Sequence, residues 1–440
     1  MARMHRPPLA LLLVAALAPS ALAQDAPHAF VGARVLPISG PAIDDGVLLV
    51  HHGKIEAVGT RASVALPANA VVVDVKGKVL MPGLVDTHSH VGGGWGADES
   101  APIQASVRML DAIDCRDAGF QRAQAGGITT VNVMSGSGHL MGGQTLYLKN
   151  KDVRSIEEMC YRFADGAPMG GMKMANGTNS HRDPPFPGTR GKSAALVRES
   201  FVAAQEYERK LRAAGTDESK KPARDLAMEG LLEVLSGRRI VHHHTHRHDD
   251  ILTVLRLAKE FNFRVVLHHV SEAWKVASEI AAAKIPCSLI EIDSPGGKLE
   301  AADFDSRSAA ELEKRGAPEL VAFHTDDWIT DSRLFLRSAG LAVRAGLSRE
   351  TALAGLTLNP ARMFDLGDRV GSLERGKDAD FLVLSGDPLS VYTTVEQTWA
   401  GGDKVFDHAD AKDRLWAEGG WGAGLRRAGA LCCLGDGEDR

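Results

Sequence analysis

Five cysteines in 440 residues (Cys115, Cys160, Cys287, Cys432 and Cys433) are too few to form a disulfide framework, and none lies in a Cys-x-x-Cys metal spacing. The isolated pair Cys115 and Cys160 stays open as a bridge in an oxidising compartment, while Cys115 and Cys287 read as buried free thiols. Neither sign of charge dominates: 51 Lys+Arg stand against 56 Asp+Glu, a net charge of -5, which argues against nucleic acid as a partner. No apolar run reaches the roughly 20 residues needed to cross a bilayer, so no stable membrane insertion is expected. No short-period repeat is evident. What remains is a chain with 44% hydrophobic residues, long enough for one large domain and a smaller one.

The first residues give a cellular context. Arg3, His5 and Arg6 precede an apolar stretch over residues 9–18, followed by Ala21-Leu22-Ala23 before Gln24. This reads as a secretory signal peptide, residues 1–23, and predicts an exported protein, periplasmic or secreted. Gln24 offers no thiol for a lipid anchor.

Residues 29–74 read as short strands broken by turns at Gly53 and Gly59, and a similar texture returns from Gly371 to Phe406. The economical reading is a small β-sandwich domain built from both ends of the chain, residues 24–81 and 367–408. Between them strands alternate with helices. Asp249-Asp250 reads as the N-cap of a helix with Ile251, Val254, Leu255 and Ala258 on one face, ended by Asn262 and followed by a strand over residues 263–269. Repeated units of this kind predict an α/β fold, a (β/α)8 TIM barrel over residues 82–366, with chemistry at the carboxyl ends of its strands. The Gly-rich segment 409–440 lacks a core pattern and reads as a peripheral tail.

Residues 79–90 read Val-Leu-Met-Pro-Gly-Leu-Val-Asp-Thr-His-Ser-His. On a strand, positions i and i+2 face the same side, so His88 and His90 can present two imidazoles to one metal ion. A second cluster puts five histidines into residues 242–248, with His242, His244 and His246 on one side by alternation. Taken alone it is equally a local metal-buffering tract. Leu267-His268-His269 and Phe323-His324-Thr325-Asp326-Asp327 then close two further apolar runs.

The segment from Leu80 to His90, together with Thr357-Leu358-Asn359-Pro360-Ala361 and the stretch from Gly371 to Asp380, resembles the amidohydrolase superfamily, most closely its imidazolonepropionase-like branch. That resemblance implies metal ligands at His88, His90, His244, His269 and Asp326, with His268 facing outward. It implies that Asp326 is also the catalytic base, Asp327 being the runner-up. It further implies two Zn2+ ions bridged by a lysine carboxylated on its amine; Lys173 is the match and Lys149 the alternative. His139 and Gln144, on the Gly-rich loop 136–144, His246, and Arg182 beside Asn176, Asn179 and His181 are the candidate substrate contacts.

The implied activity is hydrolysis of a carbon–nitrogen bond in a small molecule or dipeptide by a metal-activated water. Two alternatives stay open: a mononuclear aminohydrolase (deaminase), and an exported metal-binding protein without catalysis. Against the first, the Glu that deaminases usually carry three residues after the fifth-strand histidine is here Arg247. Oligomeric state, a homo-oligomer included, is not fixed by the sequence.

Overall fold

The computed structural model describes residues 26–93, 98, 100–292, 299–327 and 329–419. Residues 1–23, read from the sequence as a signal peptide, and Cys432 and Cys433 lie outside the described residues. The N-terminal part supplies β1 (His28–Val35), β2 (Ile43–His51), β3 (Lys54–Thr60), β4 (Val71–Asp74) and β5 (Val79–Pro82). The middle supplies β6 (Leu84–Ser89), β7 (Ile128–Val133), β8 (Met141–Gln144), β9 (Leu146–Lys149), β10 (Met172–Ala175), β11 (Val241–Thr245), β12 (Val265–His269), β13 (Cys287–Leu289) and β14 (Val321–Phe323). Beyond them come β15 (Phe381–Leu384), β16 (Val395–Ala400) and β17 (Asp403–Asp407).

Both ends of the described chain meet in one eight-stranded sheet ordered β17-β16-β15-β5-β1-β2-β3, with β4 also paired to β1. One set of its side chains, Phe30, Leu48, Ile55, Leu80, Phe381 and Trp399 among them, forms a separate apolar core. Alternate residues of the same strands, Ala29, Val31, Val47 and Leu49, form another with Val64.

The apolar run through residues 79–90 is not one strand. Gly83 divides it: β5 pairs with β15 in the small sheet, whereas β6 pairs with β7 in the interior. A Cβ at Gly83 would run into the Thr129 side chain on β7, so this joint needs glycine for close approach rather than for a special φ.

The middle of the chain is mixed α/β. Strands β10 to β14 are all parallel, β6 is parallel to β7, and helices fill most of the connections. Such strands are buried on both faces, and β6, β7, β11 and β12 are buried at every residue. A parallel bridge between Ser89 and Asp327 brings the end of β6 against the segment that follows β14.

Details differ from the sequence-based expectation. The helix read from Ile251 begins at His248 and runs to Phe261, with Arg247 as an N-cap that makes no side-chain capping bond. Asp249 and Asp250 therefore sit in its first turn, where their charge complements the helix dipole, and Asp250 pairs with Arg190 at 2.8 Å. Asn262 ends the helix in a left-handed conformation, φ 54°. Within the segment read as a peripheral tail, Asp410 caps a helix, Ala411–Glu418, whose partly buried Trp416 and Ala417 pack on the main core. Cys115, Cys160 and Cys287 are free thiols. Among the described residues no helix is long and apolar enough to cross a membrane.

Candidate metal centre

Strand β6 delivers His88, and His90 follows one residue beyond its end. Both Nε2 atoms face Asp326 Oδ1, at 3.3 and 2.9 Å. Asp326 is held there by its own backbone: its N–H donates to His88 O at 2.8 Å, and its φ of 51° turns the chain sharply after β14. Lys173 on β10 brings Nζ to 3.0 Å from His88 Nε2. His90 Nδ1 lies 2.7 Å from Met134 O. A carbonyl only accepts, so Nδ1 carries the proton and Nε2 keeps its lone pair toward the centre.

A second group forms where β11 and β12 end. His244, His246 and His269 are buried and each offers a nitrogen within 4.8 Å of the others. The His244 and His269 rings are 4.2 Å apart. Asn179 Nδ2 approaches His244 Nε2 at 3.3 Å, and His246 Nδ1 meets Ser271 Oγ at 2.8 Å. His246, read from the sequence as a substrate contact, therefore stands with the ligand candidates. A third group, His88, His269 and His324, connects the other two.

His268 does not face outward. Its ring lies 5.0 Å from that of His88 and its Nε2 is 2.9 Å from His242 Nδ1. The reason is local: His269 has φ 70° and Val270 φ 43°, so regular alternation fails at the end of β12 and consecutive imidazoles both turn inward. His242 is spent elsewhere, with Nε2 2.7 Å from the Tyr147 hydroxyl, and His243 Nδ1 bonds to His244 O. The histidine tract thus divides: His244 and His246 stay with His269, while His242 and His243 are engaged elsewhere.

Burial sets the protonation of this interior. It pushes the His242 and His324 rings down to about 3 and His243 to about 4, and holds His88, His268 and His269 well below the ordinary imidazole value. Neutral rings leave lone pairs free for a metal. For Asp326 burial pulls upward, but the neighbouring His90 ring and Lys173 amine outweigh it, so its carboxyl lies below the usual range. Asp86 is the opposite case: burial raises it to about 7 against bonds from Thr325 Oγ1 and from the backbone of His88 and Thr325, and it ties β6 to the turn that carries Asp326.

The other candidates fall in several places. Lys149 reaches away from the centre to Asp378 (2.8 Å) and Asp380 (2.7 Å), at the seam with the small sheet. Asp327 accepts from Ser332 N and Oγ, and its backbone carbonyl accepts from His90 N. Gln144 Nε2 donates to Ala105 O at 3.3 Å, beside Gly230. Arg182 and His139 meet around Phe186: the guanidinium lies 4.7 Å over its ring and donates to Gly138 O, and the His139 ring is 5.5 Å away. Asn176 Nδ2 donates to Asp250 O. The reading from sequence passed over His324. Its signal was present: a histidine closing the apolar run of β14 two residues before Asp326.

Buried neutral imidazoles, one ionised carboxylate and a lysine amine amenable to carboxylation make a donor set that suits a divalent transition metal. The residues present fit such a group. A family model described as the amidohydrolase family matches residues 306–406. The amidohydrolase tasK of Hapsidospora irregularis is 27% identical over 394 residues, covering 82% of this chain. This chain spans only 40% of the length of that relative. The imidazolonepropionase of Deinococcus radiodurans is 27% identical over 392 residues, 78% of this chain and 86% of its own. A solved structure of an amidohydrolase from Thermotoga maritima MSB8 is 34% identical, covers 86% of this chain and 100% of its own, and superposes with a TM-score of 0.78.

Proposed function

Because the chain belongs to the amidohydrolase superfamily, whose members are metal-dependent hydrolases of carbon–nitrogen bonds, we propose that it cleaves an amide, cyclic amide or dipeptide bond at a two-ion centre. The observation that carries this reading is the meeting of two donor groups drawn from distant parts of the chain. His88 and His90 with Asp326 form one, His244 and His269 the other, and the His88 and His269 rings are 5.0 Å apart.

In this reading His88, His90 and Asp326 would hold one zinc ion, His244 and His269 would hold the second, and Lys173, once carboxylated, would be the ligand common to both. When bound, the ions supply Lewis acidity toward a carbonyl and bring the ionisation of water into the neutral range. The chain supplies the rest. Asp326, ionised and facing two imidazoles, takes the proton from the attacking water and returns it to the departing amine. His139 and Arg182 orient the substrate from the loops around Phe186.

The barrel belongs to the same proposal. The Ser89–Asp327 bridge on one side, and the run of β8 directly into β9 with Thr145 N bonded to Gly171 O on the other, support closure of the two inner sheets into a (β/α)8 barrel over residues 82–366. The sheet built from both ends, residues 24–81 and 367–408, is read as the accompanying β-sandwich. Export rests on the composition of residues 1–23; N-terminal sequencing of protein recovered outside the cytoplasm is expected to start at Gln24, and an intact Met1 there would reject it.

The rival readings fit the geometry less well. Arg247, where a deaminase has its proton-shuttling acid, is paired with Asp249 at 2.9 Å. A buffer built from the histidine tract alone needs its five rings together, whereas only His244 and His246 share a donor group, and its third member, His269, comes from another strand. The decisive experiment is native mass spectrometry with metal analysis. The expectation is two ions per chain and the mass of one carbon dioxide on Lys173; an active, metal-saturated sample with one ion and unmodified Lys173 overturns the two-ion assignment. Screening dipeptides, N-acyl amino acids, cyclic amides and lactones on the zinc-loaded protein then selects the substrate.

A further inference from the structure

His324 is given no ligand role in the two-ion reading, yet it is fully buried and groups with His88 and His269. It follows β14, and its N–H donates to Leu289 O at 3.0 Å, which fixes its backbone against β13. Its ring stacks on His88, with centroids 5.0 Å apart and planes at 23°. Nε2 is 3.4 Å from His269 Nδ1, and Nδ1 is 2.9 Å from Ser288 Oγ. Ser288 Oγ in turn lies 2.5 Å from Thr87 Oγ1 on β6. Four neighbouring strands or strand ends are thus threaded by one buried hydrogen-bonded line.

Proton counting gives that line a direction. The other nitrogen of His269, Nε2, is buried without a hydrogen-bond partner among the described residues, and it is the atom left for an ion. To bind through Nε2, His269 must keep its proton on Nδ1 and find an acceptor for it. The acceptor at hand is His324 Nε2, which can accept only if His324 carries its own proton on Nδ1 and passes it to Ser288 Oγ. The Ser288 hydroxyl then donates to Thr87. Reversing the line would put a proton on His269 Nε2 and close it to the metal.

We propose that His324, fixed in one tautomer by Ser288, is a positioning residue for the metal ligand His269 and so governs the affinity of the ion shared with His244. The proposal rests on the two-ion reading above. Two variants separate the hydrogen bond from the packing. His324→Phe keeps a ring to stack on His88 but offers no acceptor; His324→Gln offers a carbonyl to His269 and an amide to Ser288.

Metal affinity is read by chelator competition on the full chain, with the melting curve of the metal-free protein as a control for folding. In His324→Phe one of two ions is expected to bind about 10- to 100-fold more weakly while the other stays within about threefold, and His324→Gln restores the lost affinity. Wild-type affinity for both ions in His324→Phe overturns the proposal. So does an equal loss of both ions, or a His324→Gln protein as weak as His324→Phe. If His324→Phe does not fold, Ser288→Ala replaces it: weakening of the same single ion supports the line, and unchanged binding overturns it. A wild-type protein that holds one ion overturns the two-ion reading by itself. His324 is then judged on that ion, with unchanged affinity in His324→Phe rejecting its role.

Discussion

An imidazole that binds metal with one nitrogen has to dispose of the proton on the other, and His90 is set up to do so, with Nδ1 against Met134 O at 2.7 Å. The carboxylate facing it has a second duty. Asp326→Asn keeps the size and an oxygen ligand but removes the proton acceptor. In metal-saturated protein turnover is expected to fall at least about 100-fold, and unchanged turnover would remove Asp326 as the base. A lysine that bridges only when carboxylated gives a separate test: Lys173→Met is expected to lose one of two ions on metal analysis, whereas full loading would exclude bridging. How far these residues were legible follows from backbone geometry. His88 and His90 stand out because a strand repeats every two residues, and the short path from β6 keeps that period. His268 was misdirected because the same rule breaks at His269, whose φ of 70° no pattern of side chains announces. His324 draws no role from the sequence, because its partners come together only where β12, β13 and β14 stand side by side.

At the scale of elements, the join between the two parts of the chain runs through β9. Lys149 Nζ is buried between Asp378 and Asp380 just ahead of β15, and Asp378 also meets Lys54 and Arg369. Lys149→Met would leave the buried Asp380 without its ion partner while Asp378 keeps Lys54 and Arg369, and a loss of about 3–5 kcal/mol in urea unfolding is expected, with metal content unchanged. The acid limb of stability should carry the same signature. Burial alone would raise the Asp378 carboxyl, but Lys149, Lys54 and Arg369 prevail and bring it down to about 2. A carboxyl lowered on folding stabilises fully above its unfolded value, about 3.9, and ceases to as pH falls through the folded one. Urea midpoints are therefore expected to drop between about pH 4 and pH 2, and Asp378→Asn to flatten that drop. Lys149 was weighed from the sequence as a bridging ligand because it closes an apolar strand. Which end of a strand faces the chemistry depends on its direction, and β9 runs antiparallel to β7, so its last residue arrives at the opposite rim.

Across the whole molecule the donors run from His88 to Asp326, and the sheet made by the two ends of the chain holds none of them. In the proposed centre metal would therefore cross-link β6, β11, β12 and the turn after β14 while leaving β1, β2 and β16 untouched. Ions bound to the folded chain and not to the unfolded one stabilise it by mass action, about 4 kcal/mol at a thousandfold excess over Kd. Removing them with a chelator should lower the thermal midpoint, and adding zinc back should restore it. The effect should also be local. In hydrogen exchange, amides at the ends of β6, β11 and β12 are expected to speed up on metal removal, while those of β1, β2 and β16 keep their protection. Uniform acceleration through both sheets would mean that the chain unfolds as one unit and that the metal sustains the whole fold. Unchanged exchange at β6 and β12 would mean that the imidazoles hold their places through packing alone, and the centre would be a set of histidines rather than a site for metal.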